Sequence, residues 1–130
     1  MGVNWLGKDI IIDTNMLLIP IKEKFDIFSE LSNYEPGVSI LVLKDSITEL
    51  EKLEKEGLTE AKLAKENILK QGIRIVDVSG QGDIDKKILA YAKNHNAFIA
   101  TNDKELKGQA KTAGISCLAY YKSRKRIVVC

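Results

Sequence analysis

The sequence predicts a three-layer α/β/α domain around a central, mainly parallel sheet of about five strands. Three observations predict it. Short β-branched runs recur at 9–13 (DIIID), 38–43 (VSILVL), 73–78 (IRIVDV), 97–101 (AFIAT) and 115–120 (ISCLAY). The segments between them carry apolar residues at helical spacing. Strands that alternate with helices favour parallel pairing, with helices covering both faces of the sheet.

The first strand, 9–13, packs three isoleucines between two aspartates and runs into Thr14-Asn15. Pro20 interrupts the helical segment that follows, which predicts a short turn and then a better helix through KFDIFSELSNY. After the second strand, 45–56 carries Ile47, Leu50 and Leu53 on one stripe. The next segment, 58–71, carries Leu58, Ala61, Leu63, Ala64, Ile68 and Leu69. Both patterns are those of core-facing helices. SGQGD at 79–83 follows the third strand as a loop of turn residues, and neither GxGxxG nor GxxxxGK[ST] occurs. His95, in KNHNAF, falls at a helix C-terminus, where a capping or surface role is expected.

With 130 residues and 45% hydrophobic content, the chain is expected to form one domain over 1–130. Its core spans 9–120, and 121–130 forms a basic C-terminal strand or tail. Charged residues make up 29%, and 20 Lys and Arg against 18 Asp and Glu leave a net charge of +2. That excess is too small to imply nucleic-acid binding by itself; distribution matters more. Cys117 and Cys130 are the two cysteines. Two so placed indicate neither a disulfide framework nor a CxxC metal site, so a reducing interior is expected. The longest apolar runs, such as MLLIPI and SILVL, fall far short of the ~20 residues of a membrane span. No membrane association is expected, and a soluble, cytoplasmic protein is.

The acids carry the functional signal. Asp13 ends the first strand, Glu49 opens the helix after the second, Asp85 opens the helix after the third, and Asp103 follows the fourth. In a parallel sheet these strand-to-helix exits share one edge, so the side chains converge despite separations of 36, 36 and 18 residues. Carboxylates gathered in one pocket repel each other and partly protonate unless a cation neutralises them. Hard oxygen ligands without His or Cys select Mg²⁺ or Mn²⁺. Phosphodiester hydrolysis is the chemistry that follows. Each acid also has a local explanation. Ser46-Ile-Thr-Glu49 has the form of a capping box, Asn102-Asp-Lys-Glu105 imitates another, and Asp83 after Gly82 suits an N-cap. Capping does not explain why a carboxylate closes the Ile run at Asp13.

Together, DIIIDTNMLL at the start, ITELEKL at 47–53, GDIDKKILAYA at 82–92 and FIATNDKELK at 98–107 resemble the four blocks of a PIN domain, from residue 9 to about 120. The resemblance implies a fold similar to metal-dependent 5′ nucleases and ribonuclease activity on single-stranded or structured RNA. It implies that Asp13, Glu49, Asp85 and Asp103 are catalytic, metal-binding acids for Mg²⁺ or Mn²⁺, supported by Thr14, Asn15 and Thr101. Many members have adjacent acids in the third block; here Ile84 separates Asp83 from Asp85, and spacing favours Asp85 as the ligand. Glu105 stands where some relatives carry a further acid, and a second metal and a helix cap are both open to it. Toxins of the VapC type, paired with an antitoxin, are one branch of the family. TNDKELK followed by a basic stretch is closer to the ribosomal-RNA processing branch of archaea and eukaryotes, which implies a ribosome-assembly partner. A non-catalytic RNA-binding scaffold is the alternative that keeps the fold, and an Asp-nucleophile phosphohydrolase fits less well because Asn15 stands where DxD needs its second acid. Homodimerisation is a family expectation.

Two basic groups suit RNA. Lys104, Lys107 and Lys111 share one face of the helix after Asp103. KSRKR places Lys122, Arg124, Lys125 and Arg126 within five positions, where phosphate contacts give salt-sensitive affinity; a charged edge strand that discourages aggregation is the competing explanation. No RNP-type aromatic motif is present. Tyr120 and Tyr121 offer rings for stacking on a base, and the competing expectation, from strand alternation, is that one belongs to the core and the other is a packing residue. Lys/Glu richness and Ile usage agree with a thermophilic source.

Overall fold

A computed structural model describes residues 8–80 and 82–130. Six strands form one sheet in the order β3-β2-β1-β4-β5-β6. They are β1 (Asp9–Ile12), β2 (Ser39–Leu43), β3 (Arg74–Val76), β4 (Phe98–Ala100), β5 (Cys117–Tyr121) and β6 (Arg126–Val129). The first five run parallel, and β6 returns antiparallel against β5. The predicted three-layer architecture is present, with the basic C-terminal segment as the sixth strand.

One layer comprises a 3-10 turn (Thr14–Leu18), α1 (Ile19–Lys22), α2 (Ile27–Tyr34), α3 (Lys44–Lys55) and α4 (Thr59–Lys70). It closes a core containing Ile10, Ile12, Leu17, Ile27, Leu31, Val42, Leu50 and Ile68. The other layer, α5 (Ile84–His95) and α6 (Lys104–Thr112), packs Ile88, Tyr91, Leu106 and Ala110 against Ile11, Leu41, Leu43 and Ile99. Alternate residues of β1 therefore feed opposite cores, as a strand covered on both faces requires. Pro20 lies in the first turn of α1, where its missing N–H removes no helical bond.

Strands β2 and β4 flank β1. The connection order reverses there, with β2 and β3 added on one side and β4 to β6 on the other. In open α/β sheets the crevice at such a switch point is where ligands bind. At the opposite edge, Asp9 accepts hydrogen bonds from Arg74 Nη2 (2.9 Å) and Tyr91 Oη (2.7 Å). The pair and its tyrosine pin the C-terminal half of α5 to β1 and β3. His95 lies exposed at the end of α5, stacked on Tyr91 with ring centroids 4.0 Å apart.

Three expectations need correction. Cys117 and Cys130 are joined in a disulfide, their Cα atoms 5.3 Å apart. Antiparallel pairing returns Cys130 beside Cys117, where its N–H donates to the Cys117 carbonyl at 3.0 Å. The expectation of a reducing interior, which rested on unpaired cysteines, loses that support. Glu49 lies in the second turn of α3, because the helix begins at Lys44 directly after β2. For the same reason Ser46 caps nothing.

Candidate active site

Asp13 and Thr101 leave the C-terminal ends of the two central strands side by side, held by the Asp13 N–H on the Ala100 carbonyl at 3.0 Å. The Asp13 side chain is buried and one oxygen, Oδ2, accepts from Thr101 Oγ1 at 2.8 Å. The same hydroxyl accepts from the Asp103 N–H at 3.0 Å. Thr101, fully buried, therefore couples both acids. Burial pushes the Asp13 carboxyl above the usual carboxylate range; the Thr101 and Thr14 hydrogen bonds oppose this, and the charge of Asp103 adds to it.

Asp103 is the N-cap of α6, accepting from the Leu106 N–H at 2.8 Å. Asp83 is likewise the N-cap of α5, through the Lys86 N–H at 3.0 Å. Asp85 follows inside the first turn of α5, and no hydrogen bond engages its side chain among the described residues. Its carboxyl is raised by burial first, then by the charges of Asp13, Asp103, Asp83 and Glu105. Those charges act on Asp85 only because the fold has brought five carboxylates to one edge. Two helix N-termini, of α5 and α6, point positive dipole ends at the same place and offset part of the repulsion.

Glu49 reaches this edge from α3. It lines an open cleft with Asp45, Asp83 and Asp85. Asp45 is neutralised by Lys87 Nζ at 2.8 Å. Among the described residues no Lys, Arg or His forms an ion pair with Asp13, Glu49, Asp83, Asp85, Asp103 or Glu105. The cluster is uncompensated negative charge.

An all-oxygen donor set with one buried member suits a hard divalent cation. Among the described residues no three acidic, His or Cys side chains stand close enough together to cage an ion as they are. Mg²⁺ does not need a cage: it keeps most of its waters and binds through one or two carboxylates. The residues fit that mode in chemistry and charge.

The supporting residues divide. Thr14, buried, donates to Ser46 Oγ at 2.8 Å and so ties the turn after Asp13 to the helix that carries Glu49. Asn15 is exposed. Glu105 stands in the first turn of α6, after the cap. Of the lysines on α6, Lys104 and Lys111 are exposed and Lys107 is half-buried. Lys122 Nζ pairs with Glu23 at 3.5 Å, whereas Arg124, Lys125 and Arg126 are exposed and have no ion pair among the described residues.

Two contributors escape sequence reasoning. Ser46 has the local look of a cap, and its partnership with Thr14 is tertiary. Asn102 makes a double bridge to β5: its Oδ1 accepts from the Tyr120 N–H (2.8 Å) and its Nδ2 donates to the Tyr120 carbonyl (3.1 Å). Its place between Thr101 and Asp103 was the available signal.

Residues 10–123 match the model of the PIN like domain family. Ribonuclease VapC9 of Archaeoglobus fulgidus is 33% identical over 122 residues, which cover 92% of this chain and 87% of the relative. Among solved structures, that of the PIN domain endonuclease Utp24 superposes with a TM-score of 0.78 at 25% identity, covering 93% of this chain and 90% of that one. VapBC2 from Rickettsia felis, bound to a DNA fragment from its promoter, superposes with a TM-score of 0.62 over 85% of this chain and 98% of that one. Its 17% identity speaks for the fold alone. The chain belongs to the PIN like domain family.

Proposed function

We propose that this chain is a divalent-metal-dependent endoribonuclease whose catalytic acids are Asp13, Glu49, Asp85 and Asp103. The observation that carries the proposal is the gathering of unpaired carboxylates, one of them buried, at the switch point of the sheet. Mg²⁺ or Mn²⁺ bound there supplies the positive charge and Lewis acidity that phosphodiester hydrolysis draws on. The residues of the chain do the rest. Thr101 fixes the orientation of the Asp13 carboxylate through its bond to Oδ2. Asp85 feels the charges of Asp13 and Asp103 and makes no cap bond among the described residues, whereas Asp83 caps α5; with the spacing, this supports Asp85 as the ligand of that pair. Thr14 and Ser46 hold α3, and with it Glu49, against the end of β1. Glu105, exposed in the first turn of α6, adds negative charge at the rim, and Asn15 faces solvent at the mouth.

Lys104, Lys107, Lys111, Lys122, Arg124, Lys125 and Arg126 provide the phosphate contacts that bring RNA to this edge. The likeness to the PIN domain endonuclease Utp24 supports endonuclease activity, and TNDKELK followed by a basic stretch supports a role in RNA processing, including ribosomal RNA, with a ribosome-assembly partner. The likeness to Ribonuclease VapC9 supports a second reading, a toxin ribonuclease held by an antitoxin. Homodimerisation and a cytoplasmic setting belong to both. No helix of the described residues is long and apolar enough to cross a membrane.

Labelled RNA incubated with protein and Mg²⁺ or Mn²⁺ tests the activity. Cleavage that leaves 5′ phosphates, stops with chelator and is lost in Asp13→Asn is expected. Full activity in Asp13→Asn overturns the assignment, and RNA binding without cleavage under any metal points to a non-catalytic scaffold. Growth arrest on expression, relieved by a co-expressed partner, separates the toxin reading from the processing one.

A further inference from the structure

The hairpin joining β5 to β6 stands above the acid edge. Ala100, at the end of β4, is level with Leu118, so Tyr121 lies three residues farther along β5, roughly 10 Å past that level at the usual rise per residue. Leu118 and Tyr120 face the α1–α4 layer and Cys117 faces α5 and α6. Alternation puts Tyr121 on the α6 face. It is 46% exposed there, and Arg126 is its direct cross-strand partner. Directly opposed residues share a face, with Cβ atoms roughly 5 Å apart. The hairpin thus presents an aromatic ring beside a guanidinium that has no ion pair among the described residues, on the side where Lys104 opens α6.

The turn itself carries a second signal. Lys125 adopts φ 48°, a left-handed conformation that Gly occupies freely and that a side-chain residue adopts at a cost. Lys125 thus places an exposed cation at the tip of the hairpin.

We propose that the Tyr121–Arg126 pair is a platform for one unpaired RNA base and its phosphate, flanked by Arg124 and Lys125, beside the acid site. The proposal rests on the ribonuclease reading. An exposed ring stacks on a base without reading its identity, and bases are free to stack only where the strand is unpaired. The cations hold the phosphates on either side. An edge strand charged merely to discourage aggregation would need no aromatic ring beside its arginine.

The test measures binding, not cleavage, in Asp13→Asn protein, so that its outcome is separate from that of the nuclease assay. A fluorescent unpaired oligoribonucleotide and a duplex of the same length are titrated in parallel. Tyr121→Ala is expected to weaken binding of the unpaired strand tenfold or more and duplex binding far less, and Tyr121→Phe to keep the parent affinity. Arg126→Ala is expected to lower the slope of log affinity against log salt by about 1. Lys125→Gly is expected to bind more weakly while unfolding no earlier than its parent. Unchanged affinity in Tyr121→Ala, equal losses for unpaired and paired RNA, or no RNA binding at all overturns the proposal.

Discussion

Replacing Thr101 by Val tests how the acid edge is held together. The two side chains have nearly the same volume, so no cavity opens; what disappears is one hydroxyl in a fully buried position. That hydroxyl donates to Asp13 Oδ2 at 2.8 Å and accepts from the Asp103 N–H at 3.0 Å. A hydrogen bond to a charged group contributes about 1.5–3 kcal/mol and a neutral one about 0.5–1.5. The Asp103 N–H is partly reached by water, so the lower end applies to it, and the sum is about 2–4 kcal/mol. For a domain of this size that lowers Tm by on the order of 10 °C. Urea unfolding with an unchanged m-value is the assay, with Thr101→Ser as the control that keeps the hydroxyl. The bond to Thr101 opposes the rise of the Asp13 carboxyl, so its loss raises that carboxyl further. The deficit of Thr101→Val is then greatest above the raised value of the Asp13 carboxyl, where Asp13 is ionised, and shrinks as pH falls from there toward 3.8, the ordinary Asp value. A deficit under about 0.5 kcal/mol, or one that ignores pH, refutes the coupling.

Asp13→Asn removes a buried, unpaired charge, so the variant is expected to be more stable than its parent in chelator at pH 7 although inactive. Between pH 3.8 and the raised values of Asp13 and Asp85, the folded chain binds more protons than the unfolded chain. Their contribution to stability therefore falls as pH rises through that window, and the advantage of Asp13→Asn, read from urea midpoints, should vanish toward its acid end. Saturating Mn²⁺ is expected to raise the Tm of the parent at pH 7 and not that of Asp13→Asn. Asp83→Ala should cost about 1 kcal/mol as a lost cap, whereas Asp85→Asn should weaken Mn²⁺ binding without loss of stability; calorimetry showing the reverse reassigns the ligand. The Cys117–Cys130 bond closes a loop of 13 residues' separation, so reductant should lower the stability of the parent by about 3 kcal/mol and leave Cys130→Ser unmoved.

How far the chain discloses all this depends on the range of the forces involved. The Ile run closed by Asp13 and the helix starts around Asp85 and Asp103 are legible because strand alternation and first-turn acids are local patterns. The expected parallel order then places the exits on one edge. Glu49 and Ser46 are misplaced by a turn because S-x-x-E has the form of a cap, and only the burial of Ser46 against Thr14 shows that α3 has already begun. The disulfide is invisible for a related reason. Cys117 and Cys130 become neighbours only through the register of β5 with β6, and the same register makes Tyr121 and Arg126 a pair.

The Asn102 bridge has one more consequence. By holding both backbone groups of Tyr120, it ties the loop that bears Asp103 to the strand just before the projecting hairpin. An RNA strand lodged against that wall meets the acids at a span set by the protein, as on a ruler with its zero mark at Tyr121. Cuts made by such a ruler fall a constant number of nucleotides from the gripped base, whatever the bases between, and slackening the bridge would blur the ends of the fragments before it slowed their release.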